Sequence, residues 1–591
     1  MNLNEFYDGK CFDAYKYLGA HFNGTGTMFR TYAPNAEKVA VIGDFSDWQE
    51  IPMKPVNDGR FYEIFCDGAK AEMRYKYRIY KKDGVYIDHC DPYGFGCELR
   101  PDTCSVVRCM DYKFNDGDWM ANRTDCRDKA LNIYEIHLGS WKKPKHGDCQ
   151  WYNYAEIADE IIDYVTEMGY NYIEIMPLSE HPCDESWGYQ ATGFFAPTSR
   201  YGNAVQLMNF ADRCHQRGIG VILDFVPVHF AVNDYALAEY DGTKLYEYPS
   251  ADIGYNEWGS CNFNHAKGEV ISFLQSAAVY WLEVFHFDGI RVDAVRNLIY
   301  WQGDESRGIN SCGLEFLRNM NSGLKARFPA AIIAAEDSTA YPDVTKAAEN
   351  CGLGFDYKWD MGWMHDTLEY FQTSPMYRTK DYRKLTFSME YFKNERYILP
   401  FSHDEVVHGK AAILQKMSGN YDEKLPQARA LYLYMAAHPG KKLNFMGNEL
   451  GLLREWNEKE QLDWEVLKNP DNSVFHRYIK AVNRMYLEHE GLHYDYEEDN
   501  FQWADCESEE DCIYAFFRKN GQEKILAVFN FSDWHKDGYS VEIGEYTAAE
   551  LLIDSDWVQF GGETADSGFS LTEGKLVVEM PAYSGKVFVL S

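Results

Sequence analysis

Four segments of the chain place acidic residues and histidines directly after apolar runs that look like buried strands. A lone carboxylate at a strand end is more often a helix N-cap or a loop anchor than a catalytic group. Four such segments together favour an active site, because the carboxyl ends of the strands of a parallel barrel meet at one rim. The polar residues are Asp224 and His229, Arg291 and Asp293, Glu336 and Asp337, and His403, Asp404 and Glu405. The sequence therefore predicts a pocket lined by several carboxylates.

Such a pocket suits the cleavage of a glycosidic bond. That reaction needs one ionised carboxylate as nucleophile or stabiliser, and one protonated acid for the leaving oxygen. Arg291 lies two residues before Asp293, so both side chains point to the same face of the strand, and the guanidinium can keep Asp293 ionised. Two carboxylates and an acceptor complete the reaction, so we expect no cofactor and no metal ion. His229 and His403 could be core histidines, but the rim favours substrate contacts.

The middle of the chain alternates apolar strands with helical patterns. The predicted strands cover 132–136, 172–177, 220–225, 287–293, 331–336, 397–401 and 442–446. Helices are predicted near 157–168, 205–217 and 269–285, with Gly169 and Gly218 where C-caps belong. Continuous apolar strands between helices imply a parallel sheet covered on both faces. About eight such units favour a (β/α)8 TIM barrel over an open sheet.

All-β patterns flank this region on both sides. Short alternating strands and recurring Asp-Gly turns predict an N-terminal β-sandwich over residues 1–125. The helical patterns stop near residue 490, and strands such as 512–517, 525–529 and 586–590 predict a C-terminal β-sandwich domain over 489–591. The expected architecture is multidomain α/β, with the barrel at 126–488.

The composition excludes several classes of partner. The chain has 92 acidic and 58 basic side chains, a formal charge of −34, which argues against nucleic acid and anionic membranes. Neither a secretory signal nor an apolar run of about 18 residues is visible, so we expect a cytoplasmic protein. The 15 scattered cysteines are expected to be free thiols. Aromatics make up 16% of the residues; most must be core, but some could bind sugars.

The four polar segments resemble the signature regions of the alpha-amylase family of glycoside hydrolases and transglycosylases. Further segments narrow the resemblance to 1,4-alpha-glucan (glycogen) branching enzymes, over nearly the whole chain. The signature regions are 224–229, 289–295, 335–339 and 399–405, and the narrower segments are 180–182, 186–190, 195–202, 406–410, 445–449 and 454–457.

The resemblance implies a role for each site residue. Asp293 would be the nucleophile, Glu336 the general acid/base, and Asp404 the stabiliser of the distorted sugar ring. The residues that would line the subsite at the scissile bond are Tyr189, Asp224, His229, Arg291 and His403. A retaining mechanism predicts carboxyls of Asp293 and Glu336 about 5–5.5 Å apart, and a raised pKa for Glu336. Phe225 and Val228 stand where the family usually has Trp and Gly, which leaves the preference for acceptor chains open.

The implied activity is the cleavage of α-1,4 bonds in a linear glucan and re-attachment of the cut chain through α-1,6 bonds, to form branches in glycogen. The expected partner is the glucan alone, and the expected state is a monomer. One alternative is a debranching-type α-glucan hydrolase with the same carboxylates and water as acceptor. Another is an inactive glycan-binding scaffold, which would be expected to have lost a carboxylate, whereas all three are present.

Two other features have competing interpretations. His489-Glu490-Gly491-Leu492-His493 matches the zinc-protease pattern, but Gly491 falls where the preceding helical pattern ends and no third ligand is evident. Trp48 could be a sugar platform of the N-terminal module or a packing residue of its sandwich, and the sequence does not decide between them.

Overall fold

Two antiparallel sheets form the N-terminal part of the computed structural model, which describes residues 1–145, 150–497 and 499–591. Their strands are β1 (Gly19–Phe22), β2 (Thr27–Tyr32), β3 (Lys38–Gly43), β4 (Ile51–Pro52), β5 (Lys54–Val56), β6 (Phe61–Cys66), β7 (Arg74–Tyr80), β8 (Tyr86–His89) and β9 (Ser105–Val106), flanked by helices α1 (Leu3–Tyr7) and α2 (Gly117–Asn122). One sheet has the order β1-β2-β6-β5 and the other β4-β3-β7-β8, with β9 beside β7. Buried residues alternate along β7, as in a sheet with one face on a core.

Eight parallel strands close into a barrel in the middle of the chain. The strands of this region are β10 (Asn132–Ile136), β11 (Tyr172–Ile175), β12 (Ser179–Glu180), β13 (Gly193–Pro197), β14 (Gly220–Phe225), β15 (His229–Phe230), β16 (Cys261–Asn262), β17 (Gly289–Val292), β18 (Ile332–Ala335), β19 (Tyr357–Trp359), β20 (Tyr397–Phe401) and β21 (Lys441–Phe445). The barrel order is β10-β11-β14-β17-β18-β19-β20-β21, while β12-β13 and β15-β16 are two-stranded ribbons. Every residue of β10, β14 and β20 is buried, which explains their mostly apolar sequences.

Helices separate the barrel strands in sequence. They are α3 (Leu138–Trp141), α4 (Tyr154–Met168), α5 (Ala204–Gln216), α6 (Ala251–Gly254), α7 (Gly268–Val284), α8 (Val295–Ile299), α9 (Ser311–Arg327), α10 (Met361–Gln372), α11 (Arg378–Asp381), α12 (Lys384–Tyr391), α13 (Ile413–Lys416), α14 (Tyr421–Ala437) and α15 (Pro470–Glu488). A capping box between Asn203 and Gln206 begins α5, because each side chain accepts a backbone N–H of the other. Gly169 follows α4 at a φ of 78°, where glycine is favoured.

The C-terminal part is all-β. Its strands are β22 (Phe501–Asp505), β23 (Ile513–Lys519), β24 (Lys524–Asn530), β25 (Lys536–Glu542), β26 (Ala549–Asp554), β27 (Phe569–Thr572), β28 (Lys575–Met580) and β29 (Ser584–Leu590). They form a five-stranded sheet, β22-β23-β24-β29-β26, and a three-stranded sheet, β25-β28-β27. Residues of both sheets, among them Leu526, Phe588 and Val578, share one apolar core.

The fold class predicted from the sequence is confirmed, and most strand positions agree closely. Predicted strands at 132–136, 220–225 and 397–401 have the observed bounds of β10, β14 and β20. The sequence analysis did not identify β19, since it has only three residues and a lysine, Lys358, at its centre. The domain boundaries at 125/126 and 488/489 stay predictions.

The chain divides into two compact units. The first comprises Met1–Thr124, His137–Ile161 and Glu174–Asp356, and the second Asp125–Ile136, Ile162–Ile173 and Tyr357–Ser591. Of the predicted site residues, Tyr189, Asp224, His229, Arg291, Asp293 and Glu336 belong to the first unit, and His403 and Asp404 to the second. Among the described residues, no helix combines the length and the apolar character needed to cross a membrane.

Candidate active site

Arg291 is the centre of the candidate site in the first unit. The register of β14 and β17 pairs Asp224 with Arg291. Nη1 of Arg291 donates to both carboxylate oxygens of Asp224 at 2.7 Å and to Oδ1 of Asp293 at 2.9 Å. Its Nη2 lies 3.7 Å from Oε2 of Glu336. One guanidinium therefore contacts three of the carboxylates that the sequence singled out.

Arg291 is fully buried, and the charges around it are those of three carboxylates. Burial by itself lowers the pKa of Arg291, but the nearby charges of Asp224, Asp293 and Glu336 outweigh it and raise the pKa well above its ordinary value. The guanidinium is therefore protonated at any ordinary pH, and a buried cation of this kind favours ionised partners.

Tyr189 extends the same hydrogen-bonding network. Its Oη donates to Oδ2 of Asp224 at 2.5 Å and lies 3.5 Å from Nη1 of Arg291. Gly188, the preceding residue, has a φ of 95°, and a Cβ there would lie 2.3 Å from the carbonyl oxygen of Pro177. Only glycine fits this close approach, so the glycine positions the tyrosine against the end of β14.

The backbone after β17 connects Asp293 with Glu336. Asp293 donates its N–H to the carbonyl of Phe225 at 2.9 Å, and Glu336 donates to that of Val292 at 3.0 Å. Ala294 has a φ of 48°, in the left-handed region, and its N–H donates to Oε2 of Glu336 at 2.7 Å. Such strain in a residue other than glycine is typical of functional sites. Here it directs a backbone donor at the proposed acid/base.

The three carboxylates around Arg291 differ in their exposure to solvent. The side chain of Asp224 is 1% exposed, whereas those of Asp293 and Glu336 are 14% and 18% exposed. The two residues to which the resemblance assigns the chemistry are thus the more accessible ones. The predicted carboxyl separation of about 5–5.5 Å and the raised pKa of Glu336 stay predictions.

His229 lies in the same unit, in the ribbon of β15 and β16. Burial lowers its pKa to about 4, so the imidazole is neutral at neutral pH. Within the described part of the chain, its Nδ1 has no hydrogen-bonding partner. Its ring centroid lies 5.3 Å from that of Trp258.

His403 and Asp404 follow β20 in the second unit. His403 contacts a carboxylate that the sequence analysis missed. Glu135, on β10, accepts the backbone N–H of His403 at 3.0 Å and lies 2.5 Å from its Nδ1. Nε2 of His403 lies 3.5 Å from Oδ1 of Asp404, whose side chain is 44% exposed. The available signal was a glutamate within a strand that the sequence predicts to be buried, because such a carboxylate needs a partner.

The two departures from the family pattern are buried residues. Phe225 and Val228 are 2% and 3% exposed. The carbonyl of Phe225 holds the backbone of Asp293, and that of Val228 accepts the N–H of Phe263 at 3.1 Å.

The zinc-protease pattern and Trp48, which the sequence also singled out, have other hydrogen-bonding partners. His489 pairs with Glu523 at 2.7 Å, whereas His493 contacts the carbonyl of Tyr486. Trp48 donates to Oδ1 of Asp44 at 3.2 Å and is partly exposed, which leaves both of its interpretations open. Among the described residues, one group could bring enough ligand atoms together for a metal ion, the exposed His535, Asp537 and Glu579 of the C-terminal part, and such exposed acidic groups are common without an ion.

The fold and the site define a protein of the alpha-amylase class. Three family models match the chain: carbohydrate-binding module 48 (isoamylase N-terminal domain) at 17–94, the alpha amylase catalytic domain at 155–248, and the alpha amylase C-terminal all-beta domain at 503–591. The structure of a pullulanase from Anoxybacillus sp. LM18-11, complexed with maltotetraose, superposes with a TM-score of 0.75 at 16% identity, covering 99% of this chain and 89% of that one. At that identity the likeness shows the fold.

Relatives in sequence define the family more narrowly than the fold does. The chain is 45% identical to the 1,4-alpha-glucan branching enzyme GlgB of Fusobacterium nucleatum, over 94% of this chain and 92% of that protein. It is 43% identical to the GlgB of Geobacillus stearothermophilus, over 95% of this chain and 90% of that protein. The chain belongs to the 1,4-alpha-glucan branching enzyme family.

Proposed function

We propose that this protein cleaves an α-1,4 bond in a linear glucan and transfers the cut chain to a 6-hydroxyl, which forms an α-1,6 branch. The observation that carries the proposal is the contact of Arg291 with Asp224, Asp293 and Glu336, in a chain of this family. It supplies accessible carboxylates and a buried cation that keeps a nucleophile ionised, as a retaining displacement requires.

The first step uses Asp293 and Glu336 together. The ionised carboxylate of Asp293 attacks the anomeric carbon, and the bond from that carbon to the leaving oxygen breaks. Glu336 gives its proton to that oxygen, so the outgoing chain departs as an alcohol and Glu336 is left as a carboxylate. Nη1 of Arg291, 2.9 Å from Asp293, orients the nucleophile.

The second step reverses the roles. Glu336 takes the proton of the acceptor's 6-hydroxyl, the oxygen forms a bond to the anomeric carbon, and the bond to Asp293 breaks. Both residues return to their starting states. Because Asp293 must be ionised and Glu336 protonated when the first step begins, we expect a bell-shaped dependence of activity on pH.

The remaining residues bind and orient the sugar in this proposal. Asp404, with its exposed side chain, would stabilise the distorted ring, and His403 would hold a sugar hydroxyl. Glu135 is the positioning residue for His403, since it engages both the ring nitrogen and the backbone N–H. In the first unit, Tyr189 and Asp224 keep Arg291 in place and line the subsite with His229.

Transfer and hydrolysis share the glycosyl-enzyme intermediate, so only the acceptor separates them. Incubation with amylose should lower iodine absorbance, because long helical segments are shortened. Reducing ends should barely rise, since each bond broken is replaced by one formed, and a debranching enzyme should then release short chains. If reducing ends rise in step with the loss of iodine colour, the protein is a hydrolase.

The setting of this activity is also a proposal. We place the enzyme in the cytoplasm, since the cysteines in the described ranges are free thiols, as reducing compartments keep them. We propose a monomer whose partner is the α-glucan or glycogen chain, with no cofactor, because the two carboxylates and an acceptor balance the reaction.

A further inference from the structure

A short hairpin in the first unit, residues 255–261 with a bridge between Tyr255 and Cys261, presents an exposed tryptophan beside His229. Trp258 lies in the chain that leads into β16, the partner strand of β15, which begins with His229. This residue is 45% exposed although its ring lies 5.3 Å from that of His229, which is 3% exposed. The indole therefore covers the histidine and still offers much of its surface to solvent.

The backbone of this tryptophan is held from two sides. Its N–H donates to Oδ1 of Asn256 at 3.1 Å, and Gly259 donates to the carbonyl of Asn256 at 3.1 Å, which closes the turn. Nε2 of Gln190 donates to the carbonyl of Trp258 at 3.1 Å. Gln190 follows Tyr189, so the segment that carries Tyr189 also fixes the hairpin. Because the backbone of this turn is already fixed, a ligand that binds this surface loses little affinity to the ordering of the chain.

We infer that Trp258 is a sugar-binding platform for the glucosyl unit next to the one bound at His229. A pyranose has an apolar C–H face that packs on an aromatic ring, while its hydroxyls stay at the edge where polar groups or water bind them. The ligand is uncharged, so the formal charge of −34 does not oppose it. This inference rests on the proposed glucan transfer, because it takes the substrate chain as the occupant.

A competing explanation is that Trp258 is a packing residue that shields His229. The two explanations differ in what may replace the indole. A phenylalanine keeps a flat apolar face for a sugar, whereas a leucine keeps an apolar cover over the histidine but has no flat face. Comparison of Trp258→Phe with Trp258→Leu therefore separates binding from packing.

The experiment measures the affinity for maltoheptaose by calorimetry on the full chain carrying Asp293→Asn, which keeps the ligand intact. Trp258→Phe, Trp258→Leu and Trp258→Ala are added to that background. Trp534→Ala is the matched control, because Trp534 is 40% exposed in the C-terminal part. We expect the dissociation constant to rise about tenfold with leucine and alanine, and clearly less with phenylalanine. The control should bind like the parent.

Three results would overturn the inference: unchanged affinity in every variant, leucine that binds as well as phenylalanine, or an equal loss with phenylalanine and alanine. Thermal melting of each variant shows whether the fold is intact, and the exposed position makes large losses of stability unexpected. The proposed transfer fails separately, if the chain with native Asp293 releases reducing ends from amylose. A hydrolase could still use the platform.

Discussion

At the scale of single residues, several side chains of the candidate site contact the same partner. Arg291 contacts Asp224, Asp293 and Glu336, and the spacing of Arg291 and Asp293 along one strand was visible in the sequence. The contact of Glu135 was not visible in the sequence, because its partner His403 is 268 positions away and no local pattern connects them. Local spacing thus predicts neighbours on a strand, whereas contacts between distant segments are visible only in the three-dimensional structure.

Asp293→Asn should abolish turnover and leave folding intact. The amide has nearly the same size but cannot act as the nucleophile, so we expect activity on amylose to fall by at least about a thousandfold. Branching activity and the melting temperature check this together. A variant with an unchanged melting temperature and near-normal activity would remove Asp293 from the mechanism.

Arg291→Met should destabilise the first unit. It leaves the buried carboxylate of Asp224 without its cation, and breaking such a buried pair typically costs about 3–5 kcal/mol of unfolding free energy. Denaturant unfolding of the variant measures the change. Lys16→Met is the control, because its ion pair with Glu283 is exposed and should contribute little.

Glu135→Gln tests the positioning of His403. The amide has one acceptor where the carboxylate has two, so either the ring nitrogen or the backbone N–H of His403 loses its partner. We expect kcat to fall roughly 10–100-fold, the range found for carboxylates that orient metal-binding histidines, with a smaller change in KM. Glu523→Gln removes a similar contact at His489 and should keep normal kinetics. Equal kinetics in both variants would exclude a positioning role for Glu135.

At the scale of elements, the sequence predicted strands by their apolar runs and failed where the run was broken. β14 and β20 are wholly buried and were found with the right bounds. β19 was missed, because three residues around a lysine carry no such run. Loops that position a side chain were recognised only by resemblance, since the backbone geometry at Gly188 has no periodicity to read.

Gly188→Ala should therefore impair catalysis through Tyr189. The new Cβ would clash with the carbonyl of Pro177 at 2.3 Å, and the φ of 95° is unfavourable for alanine. The segment must shift, which breaks the hydrogen bond from Tyr189 to Asp224. We expect a loss of kcat/KM that Tyr189→Phe reproduces in part. Gly218→Ala is the control, because its φ is also positive but its Cβ would meet open space.

At the scale of the whole molecule, a buried histidine links the chain before the barrel to the barrel strands. His215 lies 2.8 Å from Oδ2 of Asp116 and 2.9 Å from Oδ2 of Asp288, near His286 and Arg123. Burial lowers the pKa of His215, but the charge of Asp288 and the bonds to both carboxylates outweigh it and raise the pKa to about 9. All five groups belong to the first unit.

The stability of the first unit should consequently fall as the solution becomes alkaline. A raised pKa in the folded state contributes stability that is complete below the unfolded value of about 6.5. That contribution, on the order of 3 kcal/mol, is lost as the pH rises through about 9. Urea unfolding between pH 6 and pH 10 measures it. His215→Gln should flatten the profile; a slope that persists in this variant would locate the titrating group elsewhere.

The contact of Arg291 with the two carboxylates that we propose to react has a consequence for the whole catalytic cycle. In the proposed resting state the group of Arg291, Asp224, Asp293 and protonated Glu336 carries one positive and two negative charges. In the covalent intermediate Asp293 is an ester and Glu336 is ionised, so the sum is again one positive and two negative charges. The group keeps a constant net charge while the chain is cut and joined. No ion has to enter or leave, and the surrounding dipoles can stay as they are while sugar chains are exchanged.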